Sequence, residues 1–313
     1  MAYHQYHQNV ITPNIHRIDS LCSSNPFVCD LTFSPIDLLS EMGRLKRLVL
    51  SNIDSECLDK ILRRLTPLPC LSSLTINCFS YIKDRNNIYL PIFRLPALKY
   101  LKLSLQDSLL SGFSRAPNPN NNYSVIEHWI IDHSIYLDHL ESLLPYVPQL
   151  RRLAIQSCHQ YLRQMITQSS PLNYLTHVSV TLNHINFERF EQLVRNFFLK
   201  VQILRISIIY NGDPAYMDNK KWERLILSHL PNLKIFDIRH EDWRRQVTTS
   251  NEISNDNSTP LDNEINKFTS SFWTERHWVF AFQYSETRYR RRTIFYSTEP
   301  YRYRIEIILL LNI

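Results

Sequence analysis

The sequence predicts an α/β fold in which strand–turn–helix units repeat along the chain and stack side by side. Two observations carry this prediction. A short apolar pattern, L-x-x-L-x-L, recurs mostly at steps of 24 to 28 residues, and apolar residues between its copies follow the helical spacing i, i+3, i+4, i+7. One strand and one helix cannot bury their apolar faces alone, so each unit must pack on its neighbours in a curved array with a continuous core.

The strand pattern is clear in eight copies. Their first apolar residues are Leu45, Leu71, Leu98, Ile126, Leu150, Leu175, Val201 and Leu233. A ninth, degenerate copy begins at Ile18, where Asn25 follows after seven residues as Asn52 follows Leu45. The successive steps are 27, 26, 27, 28, 24, 25, 26 and 32 residues, and only the last falls outside a repeat period of roughly 20 to 29 residues.

The segments between strands predict helices. After Asp54, which is an N-cap candidate together with Ser55, apolar residues at helical spacing run from Leu58 to Leu65, and the helix is expected to end before Pro67. The same spacing of apolar residues predicts three further helices. The first contains Leu137, Leu140 and Leu144, the second Phe187, Phe190, Val194 and Phe197, and the third Trp222, Leu225, Ile226 and Leu230.

The ends of the chain differ from the repeats in composition. Residues 1–14 are polar and are predicted to form a disordered tail before an array of about nine repeats at residues 15–243. Residues 244–271 are rich in polar residues and indicate a flexible loop or linker. Residues 272–313 are aromatic and basic, with a strictly alternating strand pattern from Tyr301 to Ile307, and are predicted to form a β-rich module that caps the array.

Composition argues against an enzyme. The 3 glycines are isolated, so no glycine-rich loop is present to bind phosphate. His128, Asp132 and His133 straddle a strand and its turn, which is unsuited to a shared metal, and the run from His240 to Asp242 has no nucleophile motif nearby. The sequence therefore predicts a protein that catalyses nothing, with no cofactor and no metal.

The cysteines and the N-terminus indicate the compartment. The 6 cysteines form no C-x-x-C pair, which fits reduced thiols better than disulfides. The first 12 residues contain no apolar signal segment, and no apolar run is long enough to span a bilayer. We expect an intracellular protein, cytoplasmic or nuclear, that does not enter membranes. Its net charge of +6 permits an acidic partner.

The repeats resemble leucine-rich repeats, and in particular the arrays that follow the F-box in F-box/LRR proteins. The resemblance covers residues 15–243 and implies a right-handed horseshoe with a parallel sheet on the concave side and helices on the convex side. It also implies protein–protein recognition as a substrate receptor of a cullin-based ubiquitin ligase. The pattern departs from the family in two ways: no F-box-like L-P-x-E-L-L helix is visible before Ile18, and the Asn or Cys after each strand varies in position, at Asn52, Cys78 and Cys158.

The expected binding surface can be written out from the repeat. Side chains alternate along a strand, so positions two, four and six after the first apolar residue point away from the core onto the concave face. On that face five bases accompany two acids, Asp132 and Asp237. The predicted partner-binding residues are Arg47, Tyr100, Lys102, His128, Asp132, Arg152, Gln156, His177, Arg205 and Arg239. We expect a monomer that binds a polar or acidic segment of a partner protein.

Two alternatives remain open at the level of the sequence. The array can be a freestanding scaffold without a link to a ligase. The chain can also bind RNA through interleaved arginines and tyrosines near its C-terminus, although surface strands whose arginines face water give the same pattern. These residues are Arg288, Tyr289, Arg290, Arg291, Arg292, Tyr296, Tyr301, Arg302, Tyr303 and Arg304.

Overall fold

A computed structural model describes most of the chain, namely residues 7–24, 41–66, 68–106, 116–117, 119, 123–160, 171–209, 212–245, 267–286 and 290–299. The predicted α/β class is confirmed, because strands and helices alternate along both halves. The chain divides into two compact units. Unit 1 comprises Met1–Ser157 and Tyr161–Leu175, and unit 2 comprises Cys158–Gln160 and Thr176–Ile313.

Unit 1 contains strands that follow one another in the sheet in the order of the sequence. The pairs from β1 to β5 are parallel, and each aligns the same repeat positions across neighbouring strands. The strands are β1 (Ser20–Ser23), β2 (Arg47–Ile53), β3 (Ser73–Cys78), β4 (Tyr100–Leu105), β5 (His128–Tyr136) and β6 (Arg152–His159), the last two residues of which fall in unit 2.

The apolar positions of the repeat form the core of unit 1. In the five copies from Leu45 to Ile155, all three pattern residues are exposed by 3% or less. Burying each of these side chains contributes about 1.5 to 3 kcal/mol relative to leaving it in water. The degenerate first copy is weaker, because Ile18 and Leu21 are only half-buried.

The helices of unit 1 lie between the strands in sequence. They are α1 (Ser55–Arg64), α2 (Asn86–Phe93) and α3 (Leu137–Leu143), and a 3-10 turn, Leu144–Tyr146, follows α3. As predicted, Asp54 caps α1, its Oδ1 accepting a hydrogen bond from the Cys57 amide at 2.8 Å. Helix α2 was not predicted, because Pro91 lies inside it and interrupts the usual sequence signal.

Helix α2 packs on the apolar side of the sheet. The ring of Tyr89 meets Trp129 of β5 edge-on, with centroids 5.6 Å apart, and Phe93 meets the same indole at 5.4 Å. Both contacts have the edge-to-face geometry that aromatic pairs prefer. The side chains at positions two, four and six of the strands therefore point away from this helix.

Unit 2 has parallel strands followed by an antiparallel pair. Strands β7 (His177–Asn183), β8 (Ile203–Ile209) and β9 (Ile235–Arg245) are parallel, whereas β11 (Arg290–Glu299) is antiparallel to both β9 and β10 (Val279–Glu286). The helices are α4 (Phe187–Phe197), α5 (Asn219–His229) and the short α6 (Ser271–Thr274), and a 3-10 turn, Pro214–Met217, precedes α5. Asn186 caps α4 and Asp218 caps α5 through side-chain oxygens.

Aromatic residues after the repeats pack against the last parallel strand. Phe236 of β9 lies 5.6 Å from Trp278 and 6.1 Å from Trp273 between ring centroids. Phe268 lies 4.8 Å from Phe295. Strand β9 itself runs two residues beyond the predicted boundary at 243. These contacts extend the apolar core of unit 2 beyond β9.

Several predictions concern residues at the margins of the structure. Within the predicted tail, His7–Ile11 form a π-helical turn and Thr12–Asn14 an α-helical turn. Most of the predicted linker and the alternating strand from Tyr301 to Ile307 lie outside the described residues.

Candidate functional site

The predicted binding residues of unit 1 lie together on one face of its sheet. We call this surface the strand face; it consists of positions two, four and six of the repeats that begin at Leu45, Leu71, Leu98, Ile126 and Leu150. Strand pairing aligns Arg47 with Ser73, Ser73 with Tyr100, and Tyr100 with His128. The Arg152 amide continues this row by donating to the Glu127 carbonyl at 3.0 Å. Five strands thus present one row of polar side chains.

Arginines stand at both ends of this row. Arg47 and Arg152 are exposed, and in the part of unit 1 that the structure describes no carboxylate pairs with either guanidinium. Tyr100 and His128 between them are half-buried. Arginine and tyrosine are among the residue types that contribute most at protein interfaces, because each combines a broad apolar surface with hydrogen-bonding groups.

The pKa of His128 is lowered by its burial and, secondarily, by the positive charge of Arg152. The imidazole is therefore neutral at physiological pH and adds hydrogen-bonding groups to the row without adding charge.

The next rows of the strand face carry one ion pair among small side chains. Lys102 Nζ lies 3.0 Å from Asp132 Oδ2, and both side chains are about a third exposed. Thr75 is aligned with Lys102, and Asn77 is aligned with Ser104. Gln156, at position six of its repeat, is exposed on β6. Within the described residues of unit 1, the net charge of the strand face is consequently carried by Arg47 and Arg152.

The corresponding face of unit 2 has its bases engaged by carboxylates. Arg205 Nε lies 3.9 Å from Asp237, and Arg239 lies 3.0 Å from Glu241. Glu241 also binds Arg292 of β11 at 2.8 Å. His177 is held by its neighbour, its Nδ1 lying 2.8 Å from the Thr176 hydroxyl. The predicted residues of unit 2 are where the repeat places them, but their charges are largely compensated.

The expectation that Asp237 is an open acid of the binding face is wrong. Asp237 is only 2% exposed, and its Oδ1 accepts a hydrogen bond from the Ser297 hydroxyl at 2.6 Å. Ser297 belongs to β11, which pairs with β9 and approaches this carboxylate. The repeat pattern alone gave no signal of that pairing, because β11 lies more than 50 residues further along the chain.

Sequence reasoning also missed a second row in unit 1. Position one of each repeat stands where a strand begins, and backbone hydrogen bonds of 2.8 to 2.9 Å link each of these residues to the next. We call this the strand-start row; it consists of Asp19, Lys46, Ser72, Lys99, Glu127 and Arg151. Alternation inside the strands does not predict this row, because its residues directly precede the strands.

Acids and bases of the strand-start row are paired. Glu127 binds Lys99 at 3.0 Å and Arg151 at 3.2 Å, and the pKa of its carboxyl is lowered chiefly by the hydrogen bond from Lys99. Asp19 lies 3.6 Å from Lys46 and 3.7 Å from the neighbouring Arg44. Each acid is therefore shared by two bases.

Among the described residues, cavities lie beside helices and turns. One of about 540 Å³ lies between α4 and α5 of unit 2 and is lined by charged side chains of both signs, including Glu191, Arg195, Lys221 and Arg224. Another, of about 380 Å³, surrounds the start of α1 from Asp54 to Lys60. Neither is lined by residues of the strand face.

The histidines considered as metal ligands point to different sides of the sheet. His133 is buried, its Nε2 lying 2.9 Å from the Tyr89 hydroxyl and its Nδ1 3.1 Å from the Leu103 carbonyl, whereas His128 and Asp132 belong to the strand face. Among the described residues, no group of three or more potential ligands is arranged to hold a metal ion.

No protein family matches the chain, and no curated protein is significantly similar to it in sequence.

Within the described ranges, none of the helices combines the length and the apolar character needed to cross a membrane.

Proposed function

We propose that this chain is a leucine-rich-repeat solenoid that binds a partner protein on its strand face and acts by recognition rather than catalysis. The observation that supports the proposal best is the aligned row from Arg47 to Arg152 on five strands of unit 1. This row is backed by core side chains that are almost wholly buried.

The construction of this face suits recognition. A surface carried by paired strands over a close-packed core is held in place before a partner arrives, so little conformational entropy is lost on binding. Its two unpaired arginines favour a partner segment with carboxylates, and Tyr100 between them offers an apolar contact. In this proposal the partner is a polar or acidic segment of another protein.

The resemblance to F-box/LRR proteins extends the proposal to the kind of partner. In that family the repeats hold substrates for a cullin-based ubiquitin ligase, and we propose the same use for this strand face. A freestanding recognition scaffold would use the same surface with different partners.

An affinity purification with mass spectrometry tests the proposal. Wild-type protein is compared with the double variant Tyr100→Ala/Arg152→Glu, which removes the apolar contact and reverses one unpaired charge. Arg205 is left unchanged, because a glutamate there would lie beside the buried Asp237 carboxylate and destabilise unit 2. The matched control is Tyr81→Ala/Lys60→Glu, which makes the same kinds of change at exposed positions outside the strand face.

We expect proteins that are recovered with the wild type and with the control but lost with the strand-face variant. Ligase adaptor and cullin among the recovered proteins would support the receptor role, and their absence beside other variant-sensitive partners would support a freestanding scaffold. Identical recovery with all three proteins would overturn recognition by the strand face.

A further inference from the structure

The strand-start row of unit 1 has an uneven distribution of charge that the proposed function does not use. With Arg44, it contains four bases and two acids. The base side chains are 56% to 66% exposed, whereas Asp19 is 48% exposed and Glu127 only 28%. The carboxylates are therefore the more deeply placed groups, and solvent meets a predominantly basic edge.

The bases of this row are regularly spaced. Lys46, Lys99 and Arg151 directly precede β2, β4 and β6, so one strand lies between each successive pair. Because neighbouring strands lie about 4.8 Å apart, the backbone positions of successive bases are about 10 Å from one another. Residues i and i+7 of an α-helix lie on one face and are about 10.5 Å apart along the axis. A helix laid across the strand starts could place one carboxylate at each base.

An aromatic side chain, Tyr174, accompanies Arg151 at this edge. Tyr174 is 49% exposed, and the Arg151 guanidinium lies over its ring at 5.9 Å. Such an arrangement holds the arginine in place and offers an apolar surface beside a charge.

We infer that the strand-start row is a docking surface for an acidic α-helix of a partner protein, with carboxylates repeated at seven-residue spacing. The inference deepens the proposed function and rests on one part of it, namely that the chain recognises a protein. It adds a second contact surface at the strand starts and specifies the chemistry of the partner segment.

The carboxylates within the row favour a protein over a nucleic acid. Asp19 and Glu127 lie in line with the bases. A nucleic acid strand carries a phosphate at every nucleotide, so some phosphates would stand opposite these acids and be repelled. A helix with spaced acidic residues can place neutral side chains there.

Fluorescence anisotropy with the purified full chain tests the inference. The probe is a labelled synthetic helical peptide with glutamates at positions 1, 8 and 15, and its comparison is the same peptide with glutamines. The binding variant is Lys46→Gln/Lys99→Gln/Arg151→Gln. One control keeps the charges as Lys46→Arg/Lys99→Arg/Arg151→Lys, and a second removes three exposed charges elsewhere as Lys60→Gln/Lys83→Gln/Lys220→Gln.

The acidic peptide is expected to bind the wild type, with affinity falling as salt is added. Each lost charge contact should weaken binding roughly two- to fivefold, so the triple glutamine variant should bind about tenfold more weakly or worse, while both controls stay within about twofold of the wild type. Circular dichroism checks that each variant is folded. If the triple variant does not fold, the single variants Lys99→Gln and Arg151→Gln replace it in the binding assay.

Equal binding by the wild type and the glutamine variants would overturn the inference, as would no preference for the acidic peptide. A single-stranded RNA of equal charge that binds as tightly as the acidic peptide would assign the surface to nucleic acid instead. Because the peptide assay does not depend on the strand-face variant used to test partner recovery, the two proposals can fail separately.

Discussion

Lys102 on β4 and Asp132 on β5 form the one ion pair within the described strand face of unit 1, their charged atoms 3.0 Å apart. Lys102 is aligned with Ile130, so the pair is diagonal, reaching two residues further along the neighbouring strand. The pair removes one base and one acid from the net charge of this face.

Because both side chains remain partly in water, the pair should stabilise the fold only slightly. A double-mutant cycle with Lys102→Ala and Asp132→Ala should give a coupling free energy below about 1 kcal/mol, measured from urea unfolding. A coupling of several kcal/mol would show that the pair is far more desolvated than its exposure indicates.

In unit 2, the hydrogen bond between Ser297 and Asp237 should matter much more. The Ser297 hydroxyl donates to the buried carboxylate at 2.6 Å and accepts from the Ile238 amide at 3.0 Å. Ser297→Ala leaves buried polar groups without these partners and should lower the free energy of unfolding by about 2 kcal/mol. The matched control is Ser179→Ala, at an exposed position of β7, which should change the free energy of unfolding by less than about 0.5 kcal/mol. Equal effects of the two substitutions would contradict the role of Ser297.

The N-cap of α1 gives a third prediction. Asp54→Ala removes the acceptor for the Cys57 amide and should destabilise the protein by about 1 kcal/mol, whereas Asp54→Ser should retain most of the stability because serine is also a good N-cap. Thermal unfolding followed by circular dichroism measures both. A serine variant as unstable as the alanine variant would argue against capping as the cause.

A buried histidine predicts how stability depends on pH. Burial lowers the pKa of His139 to about 4, with a further contribution from Arg85, and its Nε2 donates to Asn86 Oδ1 at 3.1 Å. The ordinary value is 6.5, so between these values the unfolded chain binds a proton that the folded chain does not. The neutral imidazole therefore makes its full contribution to the free energy of unfolding above pH 6.5. This contribution, of up to about 3 kcal/mol, is lost as the pH falls towards 4.

The contribution of His139 can be isolated by substitution. Denaturation midpoints are measured at pH 7.5, 6 and 5 for the wild type and for His139→Gln, whose amide can still donate to Asn86. The wild type should lose more stability over this range than the variant. Parallel losses in the two proteins would assign the acid sensitivity to other groups.

The sequence was sufficient to predict the parts of the fold that depend on local periodicity. Repeat spacing located the strands, and the L-x-x-L-x-L positions of the five copies from Leu45 to Ile155 are buried as expected because their alternation matches the pleat of a strand. Helix α1 and its cap followed from Asp54 and the apolar spacing after it. Helix α2 did not, because tertiary packing of Tyr89 and Phe93 on Trp129 stabilises a segment that Pro91 disfavours.

The sequence could predict the candidate site only where the repeat determines to which face of the sheet a side chain points. Alternation placed Arg47, Tyr100 and Arg152 on one face, and strand pairing then showed that they form one row. The burial of Asp237 depends on β11, and the alignment of Lys99 with Glu127 depends on hydrogen bonds between repeats. Both are contacts between distant parts of the chain, which periodicity along the sequence does not encode.

Site-specific photo-crosslinking tests most directly whether the strand face binds a partner. A benzophenone amino acid replaces Thr75, which is aligned with Lys102 on the strand face, or Lys60, which is exposed on α1. After irradiation in an extract of the source cells, we predict a protein adduct from position 75 and none from position 60. An adduct from position 60 with none from position 75 would contradict recognition by the strand face.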